Sequence, residues 1–375
     1  MIDSAARSPP PSVAMSSTLH RWVIALSVIV PVGLSVAFFV HAALYPSCCD
    51  ARQYVEMAQY YESHGLLPSP YAPHSDVRTY GYPWFLSLLS RVTRPLGLPM
   101  STAVFLAQLL LYFASAAFLA SRISRSFGRA AGTVVFCGLA WNILLLPYLA
   151  LAMTDGFSVV LLLAAACLLV YLLTTPLRVR TIGLSAALLG AIVGFAVVVR
   201  PANLWFFALV VIGAIAVIRA PRPNIAEASR LRQTLAALLF AGVAVIFALA
   251  MMGPQSALNW VRAGQVSPLP IYDLKSLQID LGLKNIKYAT RMIEKPAGIY
   301  YRNPLYPATA ERRGLEWYFQ EPLSGMGTVA LRMFAGFDFD YLFPYIYDPE
   351  PPYRPLLFVI SQLIVFFGFG GALLL

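Results

Sequence analysis

The chain has 375 residues, of which 59% are apolar and only 12% charged, a balance outside the range of ordinary soluble domains that marks a polytopic membrane protein. The net charge of +10 does not point to nucleic acid, because the basic residues are scattered over short loops and one long loop that also carries many acids. Topology and lipid headgroups account for them.

Residues 1–20 are rich in Ser, Pro and Ala without an apolar period, and are expected to be a disordered cytoplasmic tail. Residues 21–252 are expected to form the transmembrane bundle. Its first run, Trp22–Ala43, is membrane-length, too long for a signal peptide and without a small-residue cleavage site, so it reads as a retained span leading outward. Residues 44–100 are the expected first outer loop. Within it, Tyr54, Met57, Ala58 and Tyr61 form one apolar stripe. That spacing predicts a short interfacial amphipathic helix with Asp50 near its N-cap and Arg52, Gln53, Glu56 and Gln59 turned elsewhere. A bridge between the adjacent Cys48 and Cys49 would be strained. Cys137 and Cys167 fall inside predicted spans, and no zinc spacing exists.

Ser101–Ala120 is the next span, followed by Arg122, Arg125 and Arg129, which place a cytoplasmic turn there. Ala130–Thr175 is long enough for two helices, with Pro147 and Met153-Thr154-Asp155 marking an outward hinge between them. Arg178 and Arg180 mark an inside turn, Ile182–Val199 returns outward to Arg200-Pro201, and Ala202–Ile218 runs back to Arg219, Arg222, Arg230 and Arg232. Leu235–Met252 exits again. Parity and arginine bias agree, which places the N-terminus inside.

Residues 253–354 form the expected long outer segment, in which Glu311–Gln320 and Gly325–Phe337 suit amphipathic or re-entrant helices. Residues 355–375 are an expected final span without a flanking charge, read either as an unanchored last span or, in preference, as a sign that the chain is a fragment of a longer protein. The expected fold class is an all-α polytopic membrane protein.

Four charged groups recur at the outer level on four separate segments: Asp50, Arg78, Asp155 and Arg200. Singly, each has a plain explanation, the acids as helix caps and the arginines as headgroup or snorkelling anchors. Together they suit an anionic lipid phosphate held by paired guanidinium donors, and an acceptor hydroxyl deprotonated by a carboxylate. Asp50 is the expected base. Tyr54, Tyr82 and His74 are candidates for substrate contact, although His64 and His74 read as loop residues and not as catalysts. No cofactor is expected; Asp50 and Asp155 could share a divalent ion, but no ligand set is defined by spacing.

An apolar first span, Asp50 with Tyr54 four residues on, Gly65, and Arg78 before Gly81-Tyr82-Pro83 resembles the start of the GT-C superfamily of polytopic glycosyltransferases. Thr154-Asp155 resembles its second acidic motif, and Gly194 through Arg200-Pro201 its Gly-rich span ending in Arg-Pro. The echo continues in Pro254–Gly264, PQSALNWVRAG. The resemblance is to bacterial members akin to dolichyl-phosphate-mannose protein mannosyltransferases and lipid A aminoarabinose transferases. It implies a GT-C-like helical bundle and inverting transfer from a polyprenyl-phosphate sugar to a glycan, lipid or protein acceptor at the outer face of a bacterial inner membrane. It also implies Asp50 as the base, Asp155 as the second acid, and Arg78 on the donor phosphate. Two departures stand out: Ala51, where many relatives carry a second acid, and Arg78-Thr79-Tyr80-Gly81-Tyr82-Pro83, where some have Lys-Pro-Pro. The competing readings are a transporter or lipid flippase, whose charges would lie at depth, and a polysaccharide polymerase or assembly scaffold.

Overall fold

Long apolar runs separated by arginine-bearing turns fold into helices in the computed structural model, which describes residues 17–42, 50–65, 68–142, 145–175, 179–219, 230–272, 283–291, 297–306 and 316–336. Cys48, Cys49 and the expected final span 355–375 lie outside the described residues. The first helix, α1, spans Ser17–Ala42. It starts four residues before Arg21, so the end of the expected tail is helical. The first outer loop contains α2 (Asp50–His64) and α3 (Gly81–Thr93). After these come α4 (Met100–Phe127), α5 (Arg129–Ala140), the single turn α6 (Leu146–Leu149), α7 (Thr154–Thr174) and α8 (Val179–Val199). A 3-10 turn over Pro201–Phe206 leads into α9 (Phe207–Arg219), and α10 covers Arg230–Ala263.

Among the described residues, five helical stretches are long and apolar enough to cross a membrane: α4, α7, α8, Pro201–Arg219 and α10. Large apolar side chains such as Leu110, Leu184, Val211, Leu238 and Ile246 stay exposed on them, the pattern of helices whose outer surface faces hydrocarbon. The chain is a helical, multi-pass membrane protein. α3, with 13 residues, is about 20 Å long and does not span.

Among the described helices, the most extensive contact joins α8 to α10. Gly190 and Gly194 face the backbone carbonyls of Ala244 and Ala248 so closely that a Cβ on either glycine would collide with them. Small residues four apart on both helices let the two backbones approach, the packing device expected where no hydrophobic effect separates helix from lipid. Around this seam Leu189, Val193, Phe206, Val210 and Phe240 form the main core with Phe157 and Tyr82.

The expected pair of helices in Ala130–Thr175 needs correction in its first half. α5 ends after 12 residues, and among the described residues from there to Met153 the one-turn α6 is the only helix. Non-helical backbone in an apolar layer must find other donors. Buried Gln108 of α4 supplies them, its Nε2 donating to the carbonyls of Leu149 (3.0 Å) and Leu151 (2.9 Å), while the Tyr112 hydroxyl donates to Leu139 (2.7 Å).

α10 also runs past its expected end at Met252. With 34 residues and Pro254 inside, it is about 51 Å long and outreaches a hydrocarbon core of roughly 30 Å. In the segment beyond it, β1 (Asn285–Arg291) and β2 (Ala297–Arg302) form an antiparallel hairpin pairing Tyr288 with Tyr300. Helices α11 (Glu316–Gln320) and α12 (Pro322–Gly336) follow. Thus all-α holds for the bundle, and the long segment adds one small two-stranded sheet.

Candidate functional site

The site is built at the end of the bundle where α7 begins and α8 finishes. Arg122, near the end of α4, marks the opposite end, its Cζ 4.9 Å from the centroid of the Tyr171 ring at the end of α7.

α2 forms because its apolar residues recur at helical spacing. Tyr54, Met57, Ala58 and Tyr61 are all buried as that spacing predicts. The stripe does not lie on lipid, however; Met57 and Tyr61 pack with Tyr80, Val197, Val198 and Met252 of the bundle. That contact seats α2 against the last turn of α8, with Asp50 in the first turn of α2. Gly81 fixes α3 there too: a Cβ at this position would come within 2.6 Å of the Val198 carbonyl, so only glycine lets the first turn of α3 rest on the last turn of α8.

Arg78 arrives from the loop between α2 and α3. Its Nε donates to Gln53 Oε1 at 2.7 Å and its Nη2 is hydrogen-bonded to the Asp50 carboxylate. The Cζ stands 5.4 Å from the Tyr54 ring centroid, in range of a cation–π contact. Asp50, Gln53 and Tyr54, at positions i, i+3 and i+4, therefore grip one guanidinium from a single helix face. This corrects the expectation that Gln53 turns elsewhere; a carboxamide three residues from an acid is the signal the sequence carries for it. Arg78 is the most covered of the four charged groups, with a side chain 15% exposed, against 44% for Asp50.

A second pair lies beside the first. Asp155, in the first turn of α7, pairs with Arg200, which follows the last residue of α8 in extended conformation. Buried Asn203 holds this arrangement, its Nδ2 donating to Ser158 Oγ (2.8 Å), one turn beyond Asp155, and to the Ala196 carbonyl (3.0 Å). Sequence reasoning misses both Asn203 and Ser158, although a polar residue in an apolar run is itself a signal.

Tyr54 joins the two pairs. Burial pushes its phenol up; the positive charge of Arg78 opposes this, Asp50 adds to it, and the side chain of Thr154 and the charge of Arg200 oppose it further. All of these groups therefore act on one hydroxyl. Tyr82 lies edge-on to Tyr54 at 5.3 Å and 5.9 Å from Phe157. Its buried hydroxyl has no hydrogen-bond partner among the described residues, an unsatisfied polar group beside Tyr54.

His74 is placed differently. Its Nε2 meets Glu56 Oε2 at 2.7 Å, on the other side of α2 from the two pairs, and Glu56 also accepts from Arg52 Nε at 2.7 Å. The carbonyl of His74, a residue with φ of 60°, accepts the N–H groups of Val77 (3.0 Å) and Arg78 (2.8 Å). Its observed role is to shape the turn that delivers Arg78.

Among the described residues, no three His, Cys, Asp or Glu side chains gather as a metal site would require. The acids at the site, Asp50 and Asp155, are each paired with an arginine. Compared with protein-family models, curated proteins and solved structures, the chain matches none.

Proposed function

We propose that the chain is an inverting membrane glycosyltransferase of the GT-C kind, moving a sugar from a polyprenyl-phosphate donor to an acceptor hydroxyl at the outer face of a bacterial inner membrane, with its N-terminus in the cytoplasm. The observation that carries this reading is the gathering of two carboxylate–guanidinium pairs from four elements around Tyr54, at one end of a helical bundle. Carboxylate–guanidinium pairs gathered at one end of the bundle suit chemistry at a membrane surface better than a path through the midplane, which a transporter or flippase needs.

In the proposed reaction the donor phosphate takes the place of Asp50 on Arg78. Paired N–H donors bind phosphate as they bind carboxylate, so this exchange frees Asp50 as the donor arrives. Asp50, the more exposed partner, then accepts the proton of the acceptor hydroxyl. The acceptor oxygen bonds to the anomeric carbon, the bond from that carbon to the phosphate oxygen breaks, and the electron pair leaves on the polyprenyl phosphate. Arg78 and Arg200 offset the charge developing there. Asp155 keeps Arg200 in place, and the Tyr82 hydroxyl and the Tyr54 ring line the donor's position.

Mass analysis of cell-envelope glycans and lipids from cells with and without the protein tests the reading. One sugar missing from one class of acceptor supports it and identifies both substrates. Unchanged envelopes, together with no transfer from any polyprenyl-phosphate sugar by the purified protein, overturn it.

A further inference from the structure

We infer that the protruding end of α10 is a strut that sets the pose of Arg78, with Gln255, Asn259 and Arg262 as positioning residues of the site; the consequence for donor binding rests on the glycosyltransferase reading above. The three residues recur at i, i+4 and i+7, one face of a helix. That face is turned toward the first outer loop.

Gln255 and Asn259 are each 1% exposed, although the helix around them is largely uncovered, with Pro254, Trp260 and Val261 exposed. Buried carboxamides are retained only where their hydrogen bonds are made. Here they form a chain. The Tyr80 N–H donates to Gln255 Oε1 at 3.0 Å, Gln255 Nε2 donates to Asn259 Oδ1 at 3.0 Å, and Asn259 Nδ2 donates to the carbonyls of Ser267 and Leu269. The Tyr80 N–H is an orphan donor at the start of α3, so Gln255 caps that helix from across the molecule. The Tyr80 hydroxyl adds a bond to the Met251 carbonyl at 2.7 Å.

Arg262 secures the other side of the same loop. Its Nη1 donates to the Pro70 carbonyl at 3.1 Å and to Ser75 Oγ, and its Nη2 lies 3.9 Å from Asp76 Oδ1. The chain leaving α10 returns to this loop as well, the Tyr272 N–H donating to the Asp76 carbonyl at 2.9 Å. Residues 70–76 and Tyr80 are thus fastened to α10, and Arg78 lies between the two attachments. None of these three side chains touches Asp50 or Tyr54; they act through the backbone that carries Arg78.

The test uses the full chain in lipid nanodiscs, with Gln255→Leu, the more exposed Arg262→Ala and Arg78→Ala compared with wild type. Amide hydrogen exchange is followed over residues 70–80 and over α7, and transfer is measured with a polyprenyl-phosphate sugar. For Gln255→Leu and Arg262→Ala, exchange over 70–80 rises about tenfold while α7 is unchanged, and the donor KM rises about tenfold with kcat close to wild type. Unchanged exchange over 70–80 in Arg262→Ala overturns the strut. So does raised exchange with an unchanged donor KM in a protein whose Arg78→Ala variant loses donor binding. Raised exchange in a protein whose wild type transfers no sugar supports the strut and overturns the glycosyltransferase reading instead.

Discussion

Arg78 holds its guanidinium over the ring of Tyr54, 5.4 Å from the centroid, while the Tyr54 hydroxyl lies beside Thr154 and within the field of Arg200. The ring and the hydroxyl therefore do separate work. Tyr54→Phe keeps the ring under Arg78 and is expected to leave thermal stability nearly unchanged. Tyr54→Leu removes the cation–π contact and is expected to cost about 1 kcal/mol. Unfolding temperatures of the two variants in detergent check this, and equal losses would assign the effect to the hydroxyl.

The Asp155–Arg200 pair is half-buried, its side chains 29% and 39% exposed, which places it between a surface pair and a core pair. A double-mutant cycle of Asp155→Ala, Arg200→Ala and both together is expected to give a coupling of about 1 kcal/mol, well below that of a fully buried pair. Additive losses in the denaturation midpoints would mean that the two side chains do not stabilise each other.

How far the sequence reveals this molecule depends on what decides each feature. Runs such as Ile182–Val199 and Ala202–Ile218 become helices because length and hydropathy in an apolar solvent leave backbone groups no other partner. The buried stripe of α2 follows from its 3.6-residue period in the same way. The break between Ala140 and Thr154 is legible only as the hinge marked by Pro147 and Met153-Thr154-Asp155; its length is not, because it depends on Gln108 reaching carbonyls about forty residues away along the chain. Nor is the extension of α10 past Gly253-Pro254, where contacts of Gln255, Asn259 and Arg262 outweigh the local breakers. At the site, the four charged residues are recognisable from type and topological level. Their pairing, Asp50 with Arg78 and Asp155 with Arg200, and the place of Tyr54 between them, depend on tertiary packing that no local pattern encodes.

The α8–α10 seam should be intolerant of side-chain volume. Gly194→Val would drive a branched Cβ into the Ala248 carbonyl and is expected to destabilise by about 3 kcal/mol or more. Gly183, on the same helix, has open space within 4 Å of the point where a Cβ would stand, so Gly183→Ala should be neutral or slightly stabilising. Thermal unfolding of the two variants separates close packing from glycine content.

Two groups outside the spans set opposite ends of the pH range. The Arg52 guanidinium, and then the His74 ring, hydrogen-bond Glu56 and hold its carboxyl below the usual value of 4.5. A depressed acid contributes stability above its unfolded value and loses it as pH falls through the folded one, so wild type should lose more than Glu56→Gln on acidification below 4.5. Burial pushes the Tyr80 phenol up to about 12. Its contribution is complete below the unfolded value near 10 and is lost as pH rises from there through about 12. Unfolding temperature against pH for wild type, Glu56→Gln and Tyr80→Phe checks both signs.

The most direct test of the central claim is transfer from a polyprenyl-phosphate sugar by purified Asp50→Asn protein. The substitution preserves size and a hydrogen-bond acceptor for Arg78 while removing the proton acceptor. Transfer should fall at least about a thousandfold, with the protein still folded and still binding donor. Transfer at or near the wild-type rate would contradict the assignment of Asp50 as the base.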